Sequence, residues 1–167
     1  MKKVILTVIG ILALAYLTGA FTTQTLYTDI DIDAPPKVVW DHLTDFDRYP
    51  QWNPFMRNIS GDVSAGSQLS VTIQPPGKDA MQFSPRLLVV KENEELRWLG
   101  RVLLPKLFDG EHYFIIETKP DGSTHLIQGE FFTGILALIL WSSLEQDTKK
   151  GFEAMNQAIK TRSEASG

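Results

Sequence analysis

The 167-residue sequence contains no cysteine and only three histidines. The lack of cysteine excludes a disulfide framework, a thiolate nucleophile and a cysteine-ligated zinc site. Basic residues are also few, with 16 Lys and Arg against 20 Asp and Glu and a formal charge of -4. Because nucleic-acid-binding proteins concentrate Lys and Arg on one face, we expect no nucleic-acid partner. The sequence also has no Gly-rich phosphate loop and no Gly-x-Ser-x-Gly motif, so nucleotide-binding and esterase functions have no support.

A long hydrophobic run is present only near the N-terminus, where Lys2 and Lys3 precede an uncharged apolar stretch from Val4 to Phe21. A membrane-spanning helix needs about 20 apolar residues, so this stretch is long enough to be a signal anchor. The small residues at positions 18–20 also suit the cleavage site of a signal peptide. We predict that residues 1–23 are one or the other, and we prefer the uncleaved anchor.

The charges on the two sides of this run predict its orientation. The lysines precede it, and Asp29, Asp31 and Asp33 follow it. Because positive residues remain on the cytoplasmic side, the rest of the chain is expected on the extracytoplasmic side, either membrane-anchored or exported. Residues 24–167 show no linker or repeat, which predicts one folded domain.

The order of periodic segments predicts an α+β fold. Residues 26–33 alternate as a strand, and Pro35-Pro36 then open a short helix that is followed by a second brief turn. From Phe55 to Phe132 the period is two, with turn clusters between about six further strands, which is typical of an antiparallel meander. A longer strand at residues 80–92 is expected to bend at Pro85.

The last part of the chain predicts a long helix. From Ser143 apolar residues recur at helical spacing, so this helix should cover the apolar face of the sheet. The preceding apolar run, Phe131 to Trp141, has on the order of ten residues, too few to cross a bilayer, and is interpreted as core or as a lid.

Several motifs together resemble the START-like, or SRPBCC, superfamily, in particular its polyketide cyclase/dehydrase-type branch. The resemblance covers roughly Thr25 to Arg162. The motifs that carry it are Ala34-Pro35 before Val39-Trp40, residues 45–55, Trp98-Leu99-Gly100, residues 110–114, Gln128-Gly129-Glu130, and Gly151-Phe152 with Met155-Asn156.

This resemblance implies a helix-grip fold: a curved antiparallel sheet of about seven strands wrapped around a long C-terminal helix, with two short helices after the first strand. The N-terminal apolar helix is an addition to that fold. The resemblance also implies a pocket between sheet and helix for a lipid, a sterol, a polyketide or a similar hydrophobic molecule.

The turn at Pro120-Asp121-Gly122 predicts the pairing of two late strands. A type I turn followed by a left-handed Gly122 pairs Lys119 with Ser123, and counting back places His112 opposite Glu130. Directly opposed residues share a face. One face should therefore carry His112, Phe114, Gln128, Glu130 and Phe132.

A histidine oriented by a carboxylate can remove a proton next to a carbonyl, as a cyclase or dehydratase requires. His112 and Glu130 are therefore the candidate catalytic residues. The alternative is a polar pair that only supports the sheet. A shift of one residue in the hairpin would separate the two side chains.

Large aromatic and apolar side chains are the candidate ligand contacts, with packing in the core as the alternative reading. The predicted ligand-binding residues are Trp40, Trp52, Asn53, Phe55, Phe83, Trp98, Phe114, Gln128, Phe152 and Met155. We expect no cofactor and no metal, since His42 and His125 lack the spacing of metal ligands.

Three functions remain open from the sequence. The first is a binding protein for a hydrophobic small molecule, which we prefer over catalysis. The second is an enzyme of cyclase or dehydratase type that uses His112 and Glu130, with Asn53 or Tyr113 as a polar contact. The third is a protein-interaction module.

Overall fold

A computed structural model describes residues 1–166 as a long apolar helix followed by two antiparallel sheets and a second long helix. The helices are α1 (Lys2–Ala20), α2 (Pro36–Thr44), α3 (Tyr49–Trp52) and α4 (Ile135–Glu164), with a 3-10 turn at Phe46–Arg48. The strands are β1 (Thr23–Ile32), β2 (Met56–Ser60), β3 (Ser70–Ile73), β4 (Met81–Phe83), β5 (Arg86–Lys91), β6 (Glu95–Arg101), β7 (Asp109–Thr118) and β8 (Thr124–Thr133).

The predicted α+β helix-grip fold is confirmed, but the single sheet of about seven strands is wrong, because the described strands form two sheets. One has five strands in the order β1-β8-β7-β6-β5, and the other has three in the order β2-β3-β4. The single strand predicted over residues 80–92 is wrong: β4 and β5 belong to different sheets. Pro85 lies between them, and because proline has no N–H to donate to a sheet, it breaks the strand instead of bending it.

The hairpin between β7 and β8 confirms the predicted register. Gly122 has a φ of +85°, which favours glycine, and the N–H of Lys119 donates to the carbonyl of Ser123 at 2.8 Å. His112 consequently pairs with Glu130 and Phe114 pairs with Gln128.

Helix α4 begins eight residues earlier than Ser143, so the apolar run at residues 136–141 forms its first turns. Gly134 precedes the helix with a φ of +121°, and a side chain there would collide with the backbone of Leu107. The middle of α4 packs across β1, where Nδ2 of Asn156 donates to Oγ1 of Thr28 at 2.9 Å in the core. Burial of the Phe152 side chain contributes about 1.5–3 kcal/mol.

Helix α1 exposes most of its apolar side chains. Only its C-terminal end is buried, at Gly19 and Ala20, where Gly19 lies against Ile135 of α4. Its length and composition are those of a helix that could cross a membrane, and also those of a signal sequence.

Candidate functional site

A cavity of about 580 Å³ lies between the five-stranded sheet, the three-stranded sheet and the N-terminal half of α4. Its walls are mostly aromatic and aliphatic. They include Val71, Ile73 and Phe83 from the small sheet, Trp98 and Phe132 from the large sheet, Phe108 before β7, and Leu136, Leu140 and Leu144 from α4.

Two glycines face each other on the inner side of the large sheet, in the wall of the cavity. Gly100 of β6 pairs with Gly110 of β7, and both line the cavity. A Cβ added to Gly100 would meet no atom closer than 3.7 Å, which is an ordinary van der Waals contact, so a side chain could be accommodated there. Gly100 thus leaves room in the cavity wall for a side chain, whereas the Glu130 carboxylate occupies the space over Gly110.

The next row of the sheet contains the candidate acid–base pair. Nδ1 of His112 lies 3.4 Å from Oε2 of Glu130, and both residues line the cavity. His112 is only 3% exposed, whereas the Glu130 side chain is 19% exposed. The Glu130 carboxylate bends over Gly110, where a Cβ would collide with its Oε1 atom.

The imidazole of His112 is enclosed by protein. It stacks on Trp98 and meets the edges of Phe114 and Phe152, with ring centroids 4.8–4.9 Å apart. Its Nε2 lies 3.4 Å from the amide nitrogen of Gln128. When Nδ1–H donates to the Glu130 carboxylate, Nε2 accepts from this amide, so both ring nitrogens have protein partners. Glu130 is consequently the member of the pair better placed to contact a ligand, because it lines the cavity and is more exposed than His112.

The predicted site residues fall into three groups. Five line the cavity: Phe55, Phe83, Trp98, His112 and Glu130. Four form a buried layer in contact with His112 or with one another: Phe114, Gln128, Phe152 and Met155. The remaining three, Trp40, Trp52 and Asn53, lie outside the cavity wall.

The three outliers have structural explanations. Trp40 is buried on α2 as part of the core. Oδ1 of Asn53 accepts the backbone N–H groups of Phe55 and Met56 at 2.9 and 2.8 Å, so this side chain caps the turn before β2. Trp52 packs on Tyr49 and borders a separate surface groove beside α4. Of the aromatic turn, only Phe55 reaches the cavity.

Tyr113 was expected as a polar contact in the site, but it does not line the cavity. Tyr113 lies on the outer face of the large sheet, where it stacks on Phe131 at 5.1 Å and under the guanidinium of Arg97 at 5.0 Å. Burial raises the pKa of its hydroxyl. Successive residues of a strand point to opposite faces, so Tyr113 cannot share the cavity with His112.

Charged residues at the cavity edge were missed by the sequence reasoning. Nζ of Lys78, in the β3–β4 connection, lies 3.5 Å from Oδ2 of Asp147 on α4. Nε of Arg101 lies 3.0 Å from Oδ1 of the buried Asp109, and this hydrogen bond raises the pKa of Arg101. In neither pair does a local sequence pattern predict that the two residues meet. The three cavity leucines of α4, in contrast, recur every four residues and could have been found by their helical spacing.

The sequence of the chain matches a known protein family. Residues 23–164 match the sequence profile of a family described as polyketide cyclase/dehydrase and lipid transport. No curated protein sequence matches the chain.

Solved structures share the fold at low sequence identity. A START superfamily protein from Mycobacterium smegmatis is 18% identical with a TM-score of 0.65, over 86% of this chain and 99% of that one. The Zhui aromatase/cyclase from a Streptomyces species is 14% identical with a TM-score of 0.65, over 87% and 99%. A norcoclaurine synthase mutant from Thalictrum is 12% identical with a TM-score of 0.65, over 84% and 94%.

Proposed function

This chain belongs to the polyketide cyclase/dehydrase and lipid transport family, and we propose that it binds a hydrophobic small molecule in the cavity between the large sheet and α4. The observation that carries this proposal is the cavity beside Gly100, with its aromatic and aliphatic walls. Its volume of about 580 Å³ is within the range of ligand pockets, about 300–1,000 Å³.

The polar groups of the cavity support a ligand with one polar end. His112 and Glu130 lie in the wall among apolar side chains, and a small number of polar groups commonly orients a ligand in an apolar pocket. A hydroxyl or amide of the ligand could donate to the carboxylate of Glu130, which lines the cavity. The rest of the molecule would replace water along the aromatic walls, which is favourable in proportion to the apolar area buried.

The test of binding combines analysis of the purified protein with a variant that fills the cavity. The full chain, purified in mild detergent, is analysed by native mass spectrometry and by lipid extraction, and is titrated with dansyl-undecanoic acid as a fluorescent probe. Gly100→Phe should place a ring in the cavity and weaken probe binding at least about tenfold. Leu99→Phe, on the opposite face of β6, is the matched control.

Two results would contradict the binding proposal. One is the absence of both a co-purified molecule and saturable probe binding in the wild-type protein. The other is equal probe affinity in the wild type and in a folded Gly100→Phe variant.

We also propose that α1 anchors the domain to a membrane, with residues 24–167 on the extracytoplasmic side. The exposed apolar side chains of α1 support this, since outside a membrane they would lie in water. N-terminal sequencing of the protein isolated from membranes is the test. A mature chain that begins near residue 21 would mean cleavage of a signal peptide and would contradict the anchor.

A second candidate function is proton-transfer catalysis of cyclase or dehydratase type. The contact between His112 and Glu130 favours it. Because both nitrogens of His112 have protein partners, we assign the proton transfer to Glu130 and the positioning of its carboxylate to His112. This assignment reverses the two roles expected from the sequence.

The catalytic candidate can be tested without knowledge of the natural substrate. The acetoacetyl thioester of N-acetylcysteamine carries a carbon between two carbonyls, and NMR in deuterated water measures proton exchange at this carbon. An active base accelerates such a transfer by about 10²–10⁴-fold, and Glu130→Gln should abolish the acceleration. His112→Phe should reduce it in part. A wild-type rate equal to that of buffer would contradict catalysis while leaving the binding proposal intact.

A further inference from the structure

Five large apolar side chains are exposed in one region of the domain, and we call this group the collar. Its members are Phe21 after α1, Leu103 and Leu104 in the β6–β7 loop, and Ile139 and Leu140 in α4, with exposed fractions of 87, 83, 61, 67 and 48%. A group of exposed large apolar side chains on a folded domain is typical of an interaction site.

The collar is attached directly to the C-terminal end of α1. The N–H of Gly134, which precedes α4, donates to the carbonyl of Gly19 at 3.1 Å. The hydroxyl of Tyr16 donates to the carbonyl of Pro105 in the β6–β7 loop at 2.6 Å. The same loop is joined to α4 by a hydrogen bond from the N–H of Leu136 to the carbonyl of Leu107 at 3.1 Å. The three segments that carry the collar therefore lie next to one another.

The length of α1 determines how deep this surface would lie. Its 19 residues span about 28 Å at 1.5 Å per residue, close to the roughly 30 Å hydrocarbon core of a bilayer. All of α1 is therefore needed to cross. Tyr16 lies four residues before Ala20, about 6 Å inside that end of the helix. Tyr16 contacts Pro105 in the β6–β7 loop. This part of the loop would therefore lie at the same depth in the membrane as Tyr16.

This depth matches the chemistry of the collar. Elements that lie in a membrane interface bury their apolar side about 5–10 Å into the boundary between headgroups and acyl chains. Leucine, isoleucine and phenylalanine side chains suit that zone, and tyrosine is enriched there. Lys106, exposed in the same loop, can extend its ammonium group to lipid phosphates.

The cavity adjoins the collar. Leu140 is half-exposed and also lines the cavity, while Val102 and Phe108, at the two ends of the β6–β7 loop, lie in the cavity wall. Leu136, one turn before Leu140, lines it as well. The same two segments thus present one side to the exterior and the other to the ligand site.

We propose that the collar rests in the extracytoplasmic leaflet and that the cavity takes its ligand, a membrane-resident amphiphile, directly from the bilayer. This inference rests on the proposed anchor and on the proposed ligand binding. It adds that the edge of the cavity between α4 and the β6–β7 loop faces lipid, so the ligand need not cross water.

The first experiment measures depth. Because the chain has no cysteine, single cysteines can be introduced into the full chain and spin-labelled without other changes. The variants are Leu104→Cys and Ile139→Cys in the collar and Ile9→Cys in α1. Leu88→Cys is the control; it lies on β5, the edge strand of the large sheet opposite to β1. The protein is reconstituted into vesicles of phosphatidylethanolamine and phosphatidylglycerol, and collisions with oxygen and with a water-soluble nickel complex are compared.

Labels at positions 9, 104 and 139 should collide more with oxygen, and the label at position 88 more with nickel. A label at position 9 in water would overturn the anchor and the collar together. A label at position 9 in the bilayer with those at 104 and 139 in water would overturn the collar alone.

The second experiment measures uptake from the membrane. The variant Leu104→Gln/Ile139→Gln and the control Leu88→Gln are reconstituted as full chains, and transfer of dansyl-undecanoic acid from vesicles is followed by energy transfer from tryptophan. The double variant should slow uptake about tenfold, because the collar would no longer insert. Its affinity for the probe in detergent should equal that of the wild type. Normal affinity with an unchanged uptake rate would overturn loading from the bilayer, whereas no affinity in wild-type detergent samples would overturn ligand binding itself.

Discussion

The indole of Trp98 lies parallel to the imidazole of His112, with ring centroids 4.8 Å apart and an angle of 9° between the planes. The two residues are paired across β6 and β7, so the stack is set by the register of the sheet. It separates the cavity from the buried layer of Phe114, Gln128 and Phe152, and thereby places a polar ring in the middle of an aromatic wall.

Removal of the His112 ring should destabilise the protein more than its replacement by another ring. His112→Ala leaves a hole among three aromatic side chains and should lower the free energy of unfolding by about 3 kcal/mol. His112→Phe keeps the volume but leaves Glu130 and Gln128 without this partner, so we expect a loss of about 1–2 kcal/mol. Urea denaturation followed by fluorescence measures both. An equal loss of unfolding free energy in the two variants would mean that the hydrogen bonds of His112 contribute more to stability than the packing of its ring.

A methyl group at Gly151 should destabilise α4, although alanine favours a helix over glycine by about 1 kcal/mol. The added Cβ would collide with the ring of Phe55, and overpacking of this kind costs about 1–3 kcal/mol. We expect Gly151→Ala to lower the melting temperature and to weaken binding of the dansyl probe, because Phe55 lines the cavity. Lys150→Ala, at the exposed neighbouring position, is the control. A more stable Gly151→Ala variant would show that Phe55 moves aside freely.

Loss of the Lys78–Asp147 ion pair should speed ligand exchange with little effect on stability. The pair joins the β3–β4 connection to α4 across the cavity edge, and both side chains are partly exposed. Such pairs contribute about 0–1 kcal/mol to stability. Asp147→Asn should raise the dissociation rate of the probe in stopped-flow measurements, and high salt should do the same to the wild type. Glu145→Gln on the same helix is the control, and identical rates in all three proteins would exclude a gating role.

The stability of the protein should fall on acidification through the titration of His42. Burial lowers the pKa of His42, and the neighbouring Arg162, whose Nε donates to Nδ1 at 3.2 Å, lowers it further. The unfolded chain therefore binds a proton at higher pH than the folded one, so stability is lost as pH falls below the ordinary histidine pKa of about 6.5. His42→Gln should flatten the dependence of melting temperature on pH between about 7.5 and 5. An unchanged slope would assign the acid sensitivity to other groups.

Much of the fold was predictable because its signals are local. The period-two pattern, the turn at Gly122 and the prolines at the start of α2 each act through neighbouring residues. The pairing of His112 with Glu130 follows from one turn. The effect of Pro85 was not predictable. A proline can bend a strand or end it, and the outcome depends on which sheet the flanking residues join.

The site itself was only partly predictable. Phe55, Trp98 and His112 were expected at the cavity and line it, but Asn53 was expected there and caps a turn instead. A sequence shows which face of a strand a residue occupies. It does not show which polar partner a side chain meets across the core.

The sequence by itself determined the order of the elements, the shared face of His112 and Glu130, and the apolar character of α1, because each depends on spacing along the chain. Only the tertiary structure decided that Gly100 and Gly110 lie opposite each other in the wall of a cavity. It also brought the β6–β7 loop and the first turns of α4 together at the end of α1. Those relationships depend on contacts between segments far apart in sequence, and such contacts form only when the whole sheet and both long helices are in place.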